Sequence, residues 1–95
     1  MEFKNITIKR VMSIGVISFC RPKSLNALNT ETLLELDSAI AMLEADDDIY
    51  VVVITGEGKA FVSGADIYEM KDLSPDQARF FSQRAQGVFR KIELM

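Results

Sequence analysis

The run Ile49-Tyr50-Val51-Val52-Val53-Ile54 does more than any other part of this chain to limit how it can fold. It is continuous in apolar and aromatic side chains and rich in β-branched ones, so it is too short for a typical helix and suited to a buried parallel strand. The segment before it has a different period. Leu33, Leu36, Ile40 and Leu43 recur at intervals of three, four and three, which puts one apolar stripe on a helix that Asn29 or Thr30 can cap. Residues 3–10 alternate, Ile6 and Ile8 against Thr7 and Lys9, and predict a strand with one wet face. Residues 14–20 predict a second strand, where Ile14, Val16, Ile17 and Phe19 put apolar groups on both sides and imply cover on both faces. The short Val11–Ser13 interval favours a hairpin between these strands, and Arg21-Pro22 ends the second because proline supplies no ladder N–H.

Further on, Ser74-Pro75-Asp76-Gln77 combines a capping Ser, a Pro in the first turn and a Gln placed to close a capping box, so a helix starts there. Ala78, Phe81, Ala85, Val88 and Ile92 continue it at helical spacing, with Phe89 widening the stripe. No Gly or Pro stop signal follows before Met95, and few helices are present to cover the sheet. The expectation is an α/β chain whose residues 1–95 are a segment of a larger domain, or else a chain covered by other copies of itself.

Between the strand and the last helix lies Lys59-Ala60-Phe61-Val62-Ser63-Gly64-Ala65-Asp66-Ile67-Tyr68-Glu69-Met70, where small residues lead into a helix N-terminus. The first N–H groups of a helix lack partners inside it, so a backbone amide there can receive an oxygen that becomes negative during a reaction. Ala65 is the candidate donor: Gly64 permits a tight turn, and the Ala65 methyl group is too small to keep a planar carbonyl away from its own N–H. Taken alone, the same residues also fit a plain turn with Asp66 near a helix start. Gly58-Lys59 is not a phosphate loop, because Val53 stands where the first glycine is needed and Ala60 where Ser or Thr would hold magnesium.

Gly58-Lys59-Ala60-Phe61-Val62-Ser63-Gly64-Ala65-Asp66-Ile67 resembles the "GxAFxAGAD" motif of the crotonase (enoyl-CoA hydratase/isomerase) superfamily. Arg21-Pro22-Lys23-Ser24-Leu25-Asn26-Ala27-Leu28-Asn29 is similar to the family's "NRPKALNALN" loop, and the likeness runs from about Ile14 to about Met70. Cys20 and Ser63 depart from the usual Asn and Ala. The resemblance implies the N-terminal portion of a crotonase-type β-β-α spiral that binds acyl thioesters of coenzyme A. In that family two backbone N–H groups hold the enolate oxygen and two glutamates move the elements of water. Ala65 matches one amide; the resemblance places the other amide and both glutamates beyond Met95.

The resemblance puts Lys23, Ser24 and Leu25 on one side of the coenzyme A site, with Lys23 near a phosphate. Ser63, Ala65, Asp66, Ile67 and Tyr68 form the opposite lip, and Asp66 and Glu69 contact or frame the ligand without serving as acid or base. Ile67 is open to two readings, apolar contact with the ligand or ordinary core packing. An enoyl-CoA hydratase is the leading function implied, with no cofactor beyond the coenzyme A thioester substrate and with no activity in residues 1–95 by themselves. An isomerase, hydrolase or decarboxylase of the same superfamily, or a non-catalytic assembly module, are the alternatives. The resemblance also implies a homo-oligomer, trimeric or hexameric in the intact protein.

Composition excludes several other classes. The net charge of −3 and scattered Lys and Arg give no footprint for nucleic acid. With no histidine in the chain, triad and zinc-hydrolase schemes lose their usual players, and no metal is expected. No apolar stretch reaches the roughly 20 residues that span a bilayer, no signal-peptide pattern is present, and a cytosolic location is expected. The single cysteine, Cys20, is expected to pack rather than react, and Asp46-Asp47-Asp48 to be a solvated helix end.

Overall fold

Alternation in the first two strands produces an antiparallel hairpin, β1 (Ile6–Val11) and β2 (Ile14–Phe19), with Val11 opposite Ile14 and Ile6 opposite Phe19. Its tight connection puts Met12 at φ 55, a backbone region that non-glycine residues seldom occupy. The computed structural model describes residues 3–95. Helix α1 (Thr30–Glu44) follows, capped by the Asn29 side chain, which accepts from the Thr32 N–H. It crosses to β3 (Val51–Gly56), which pairs parallel to β2 so that Ile17 lies beside Ile54. The sheet order is β1-β2-β3. A single turn of helix, α2 (Ile67–Met70), and the long α3 (Pro75–Glu93) complete the chain.

The core lies where the apolar stripe of α1 meets one sheet face. Leu33, Leu36, Ile40 and Leu43 pack with Ile6, Ile17 and Phe19, and Val88 joins from α3. Burying each such side chain contributes about 1.5–3 kcal/mol. Helix α3 starts at the expected capping box, with Ser74 and Gln77 each satisfying the other's backbone N–H. Its contact stripe is narrower than the sequence pattern implied: Phe81, Ala85 and Ile92 are half-buried, while Ala78 and Phe89 are exposed.

Two strands differ from expectation for identifiable reasons. Strand β1 begins at Ile6 rather than residue 3, because the N–H groups of Lys4 and Asn5 donate to Glu35 Oε1 at 3.0 and 2.9 Å instead of to a strand. Strand β3 covers 51–56 rather than 49–54, since Ile49 bonds back to Asp46 and Tyr50 to Ser13 in the turn from α1. It is also not buried on both sides. It lies at the sheet edge, and on the face away from α1 the side chains of Ile14, Val51 and Val53 are exposed, so the two-faced cover expected for β2 and β3 is supplied on one face among the described residues. Asp46 and Asp48 flank Arg10, which turns the acidic run into a loose surface ion-pair cluster.

Two glycines respond oppositely to a methyl group. At Gly56 a Cβ would lie 2.5 Å from Phe61 O and 2.7 Å from Ala60 O, because the loop after β3 folds back over it. At Gly87, in the middle of α3, a Cβ would meet nothing within 4 Å. Gly56→Ala is therefore expected to destabilise by about 1–3 kcal/mol, and Gly87→Ala to stabilise by about 0.5–1 kcal/mol, both read from urea unfolding midpoints. A Gly56→Ala protein as stable as the parent would contradict the close approach.

Candidate functional site

Two loops that are far apart in sequence meet beyond the ends of β2 and β3. In the first, Arg21-Pro22 leads into one 3-10 turn, Pro22–Ser24, after which Leu25 and Asn26 adopt left-handed φ of 51 and 58. Asparagine tolerates that conformation better than most residues, and Asn26 is 1% exposed. Its Oδ1 accepts from the Arg21 N–H at 2.7 Å, and its Nδ2 donates to Glu57 O at 2.9 Å and Ala60 O at 2.7 Å. Asn26 thus ties the first loop to the second. Phe61 adds an edge-on contact with Phe19, ring centroids 5.7 Å apart.

The second loop returns alongside the first as an isolated parallel bridge, Leu28 to Ala65. Ser63 N–H donates to Leu25 O at 3.1 Å, Leu28 N–H to Gly64 O at 2.7 Å, and Asp66 N–H to Leu28 O at 2.8 Å. A parallel bridge engages the residues on either side of its centre, so the Ala65 N–H is turned away from Leu28, and it has no hydrogen-bond partner among the described residues. Gly64, at φ 130, supplies the backbone turn that this arrangement needs.

The physical reason for that free amide differs from the sequence expectation. Ala65 is not among the first N–H groups of a helix: Asp66 is the N-cap, and α2 is a single turn with little dipole to offer. Two of the free N–H groups in the first turn of α2, those of Tyr68 and Glu69, are taken by Asp66 Oδ1 at 2.9 and 3.4 Å. The bridge, not the helix, leaves Ala65 unpartnered.

Between the two loops runs a groove of about 480 Å³. Lys23, Ser24, Leu25 and Ala27 form one side, and Ser63, Gly64, Ala65, Asp66, Ile67 and Tyr68 form the other. Lys23, Ser24, Leu25, Ser63, Ala65, Asp66, Ile67 and Tyr68 therefore border a single concavity, whereas Glu69, expected to contact or frame the ligand, does not line it because its carboxylate turns to the start of α1. Ile67 is 76% exposed and Tyr68 85% exposed, so core packing is not the use this structure makes of Ile67. The groove joins exposed apolar side chains, small residues with accessible backbone and one lysine, a lining suited to a long ligand with apolar and anionic parts.

Its one carboxylate is already engaged. Asp66 is buried, and its Oδ2 accepts from Arg21 Nη2 at 2.9 Å while Oδ1 caps α2. The Arg21 hydrogen bond, aided by the Tyr68 and Glu69 amides, holds the Asp66 carboxyl below its ordinary value against the opposing effect of burial. Glu69 is also committed: both its oxygens accept from the Thr30 N–H, at 3.1 and 2.9 Å, at the start of α1. Away from the groove, the Cys20 thiol donates to Glu57 Oε2 at 2.9 Å, and that bond, with burial and the nearby negative charge, raises its pKa and disfavours the reactive thiolate. Among the described residues no cluster of His, Cys, Asp or Glu could hold a metal ion, and no helix is long and apolar enough to cross a membrane.

Sequence reasoning used Arg21 only as a strand terminator and gave Asn26 no role of its own. The available signal was an Asn beside a proline-stiffened turn, where left-handed backbone is common.

Comparison with known proteins gives a consistent result. Residues 9–95 match the family model described as enoyl-CoA hydratase/isomerase. The chain is 42% identical over its full length to a short-chain-enoyl-CoA hydratase of Clostridium acetobutylicum and 43% identical to a crotonyl-CoA hydratase of Syntrophomonas wolfei. It spans 37% of the length of each of these relatives. Among solved structures it is similar to an enoyl-CoA hydratase of Bacillus anthracis, with a TM-score of 0.91 and 27% identity, over 95% of this chain and 36% of that one.

The Asp66–Arg21 pair has a defined pH signature. A carboxyl with a lowered folded-state pKa adds stability above its unfolded value, near the reference of 3.8, and loses it as pH falls through the folded value. The Tm advantage of the parent over Asp66→Asn is expected to be full near pH 6 and to shrink steadily between about pH 5 and pH 2. A Tm difference independent of pH across that window would contradict a charged pair.

Proposed function

The chain belongs to the enoyl-CoA hydratase/isomerase family, and on that premise we propose that its groove binds acyl thioesters of coenzyme A with the thioester oxygen on the Ala65 N–H. The reaction served is enoyl-CoA hydration, supported by the names of the relatives at 42% and 43% identity. The observation that carries the reading is the unpartnered Ala65 amide beside the groove. Adding water to a 2-enoyl thioester, or removing it from a 3-hydroxyacyl thioester, develops negative charge on the thioester oxygen. A fixed N–H directed at that oxygen contributes about 2.7–4 kcal/mol to the transition state and needs no rearrangement at the moment of reaction.

Lys23 offers a point charge to a ligand phosphate, while Ser24, Leu25 and Ser63 provide backbone and short side chains against the ligand's length. Ile67 and Tyr68 present apolar surface to the ligand. Asp66 is the only carboxylate residue bordering the groove among the described residues, and both its oxygens are occupied. These residues accordingly bind and polarise the thioester without providing the acid and base that move water. Self-association is part of the same proposal and is supported by the exposed Ile14, Val51 and Val53 on the open sheet face. A cytosolic setting is proposed from composition, including the single cysteine.

Calorimetric titration of the 95-residue chain with crotonyl-CoA is expected to give saturable binding, with no hydroxyacyl product accumulating over background in the same solution. No binding of any coenzyme A compound would contradict the site. Turnover at the rate of an intact hydratase would contradict the assignment of acid and base to groups outside residues 1–95.

A further inference from the structure

The Arg21 guanidinium touches both sides of the groove, yet thioester binding as described gives it no task. Its Nη1 donates to Ala27 O on the first loop and its Nη2 to Asp66 Oδ2 on the second, with the Arg21 and Asp66 side chains 18% and 10% exposed. Asn26 and three backbone bonds also join the loops, but Asn26 acts at Glu57 and Ala60, away from Ala65, and the elements around Ala65 itself are short. The Leu28–Ala65 bridge is isolated, the Pro22–Ser24 helix is one turn, α2 is one turn, and the Ser63 Oγ contact to Ser24 O is long at 3.4 Å. Short segments without a sheet ladder around them open locally at low cost.

A charge-assisted, mostly buried fork opposes that opening more strongly than neutral contacts do. It also acts at the right place. Asp66 follows Ala65 directly, and its other oxygen caps α2, so the side chain that Arg21 grips anchors the residue next to the free amide on its C-terminal side. The guanidinium is planar with its donors in a fixed geometry; a lysine ammonium keeps the charge but not the fork.

We propose that Arg21, acting through Asp66 and Ala27, is a positioning residue that fixes the separation of the groove's two sides and the direction of the Ala65 N–H. This inference rests on the thioester reading of the groove. Arg21 does not border the groove, so its loss should spare contacts along the coenzyme A portion and weaken the contact at the thioester carbonyl.

The discriminating quantity is the ratio of two affinities, for acetoacetyl-CoA and for free coenzyme A, measured by calorimetry on the full chain and on Arg21→Gln and Arg21→Lys. The parent is expected to prefer the thioester by about tenfold, the scale of one hydrogen bond to a charge-bearing oxygen. Arg21→Gln should retain its affinity for free coenzyme A within about twofold and lose the preference, with Arg21→Lys intermediate. If Arg21→Gln fails to fold by circular dichroism, Arg21→Lys decides: an intermediate ratio supports positioning and a parental ratio overturns it. Equal weakening of both ligands in either folded variant also overturns it, since that is the mark of general loosening. A parent that binds neither compound overturns the thioester reading and this inference together, whereas variants that keep the parental preference overturn the positioning role alone.

Discussion

The account depends on a backbone constraint: Leu28 bonds to Gly64 and Asp66 and skips Ala65. In a wider sheet the skipped amide would be claimed by a strand on the opposite side. Here the bridge is isolated, and the skipped N–H is left beside a groove. A donor without a protein partner is stable only where water or a ligand can reach it, and Ala65 is exposed. Structure and chemistry meet at that point, because an amide held rigid and unpartnered is already arranged for an oxygen that gains charge.

The rest of the fold serves to hold that bridge. The α1 stripe closes over Ile6, Ile17 and Phe19 and anchors the ends of β2 and β3 from which both loops leave. Gly56 lets the second loop fold back, and Asn26 then takes two carbonyls from it, Glu57 and Ala60. Glu69 returns from α2 to cap α1 at Thr30. Polar side chains that look like ordinary loop residues thus do the joining, and among the described residues no buried side-chain polar atom lacks a partner.

Much of this was legible in the sequence, for different reasons in different places. The helical period of Leu33, Leu36, Ile40 and Leu43 is local information, and all of them are buried as that period requires. The capping box at Ser74 is also local and formed as read. The edge position of β3 was not legible: an apolar run says that both faces favour burial, but not how many elements lie near enough to cover them. The ligand-site residues came from motif likeness, and the groove gathers them apart from Glu69, while the reason for the free Ala65 amide is a parallel bridge and not a helix end. Arg21 and Asn26 escaped notice because their partners Asp66 and Glu57 lie 45 and 31 positions away, and only the completed topology brings them together.

The most direct measurement is the distance from Ala65 N to the carbonyl oxygen of a coenzyme A thioester in a crystal structure of the complex. The account predicts about 2.7–3.1 Å with the N–H directed at the oxygen. A thioester carbonyl resting elsewhere, or an Ala65 N–H bonded to another part of the protein, would contradict it.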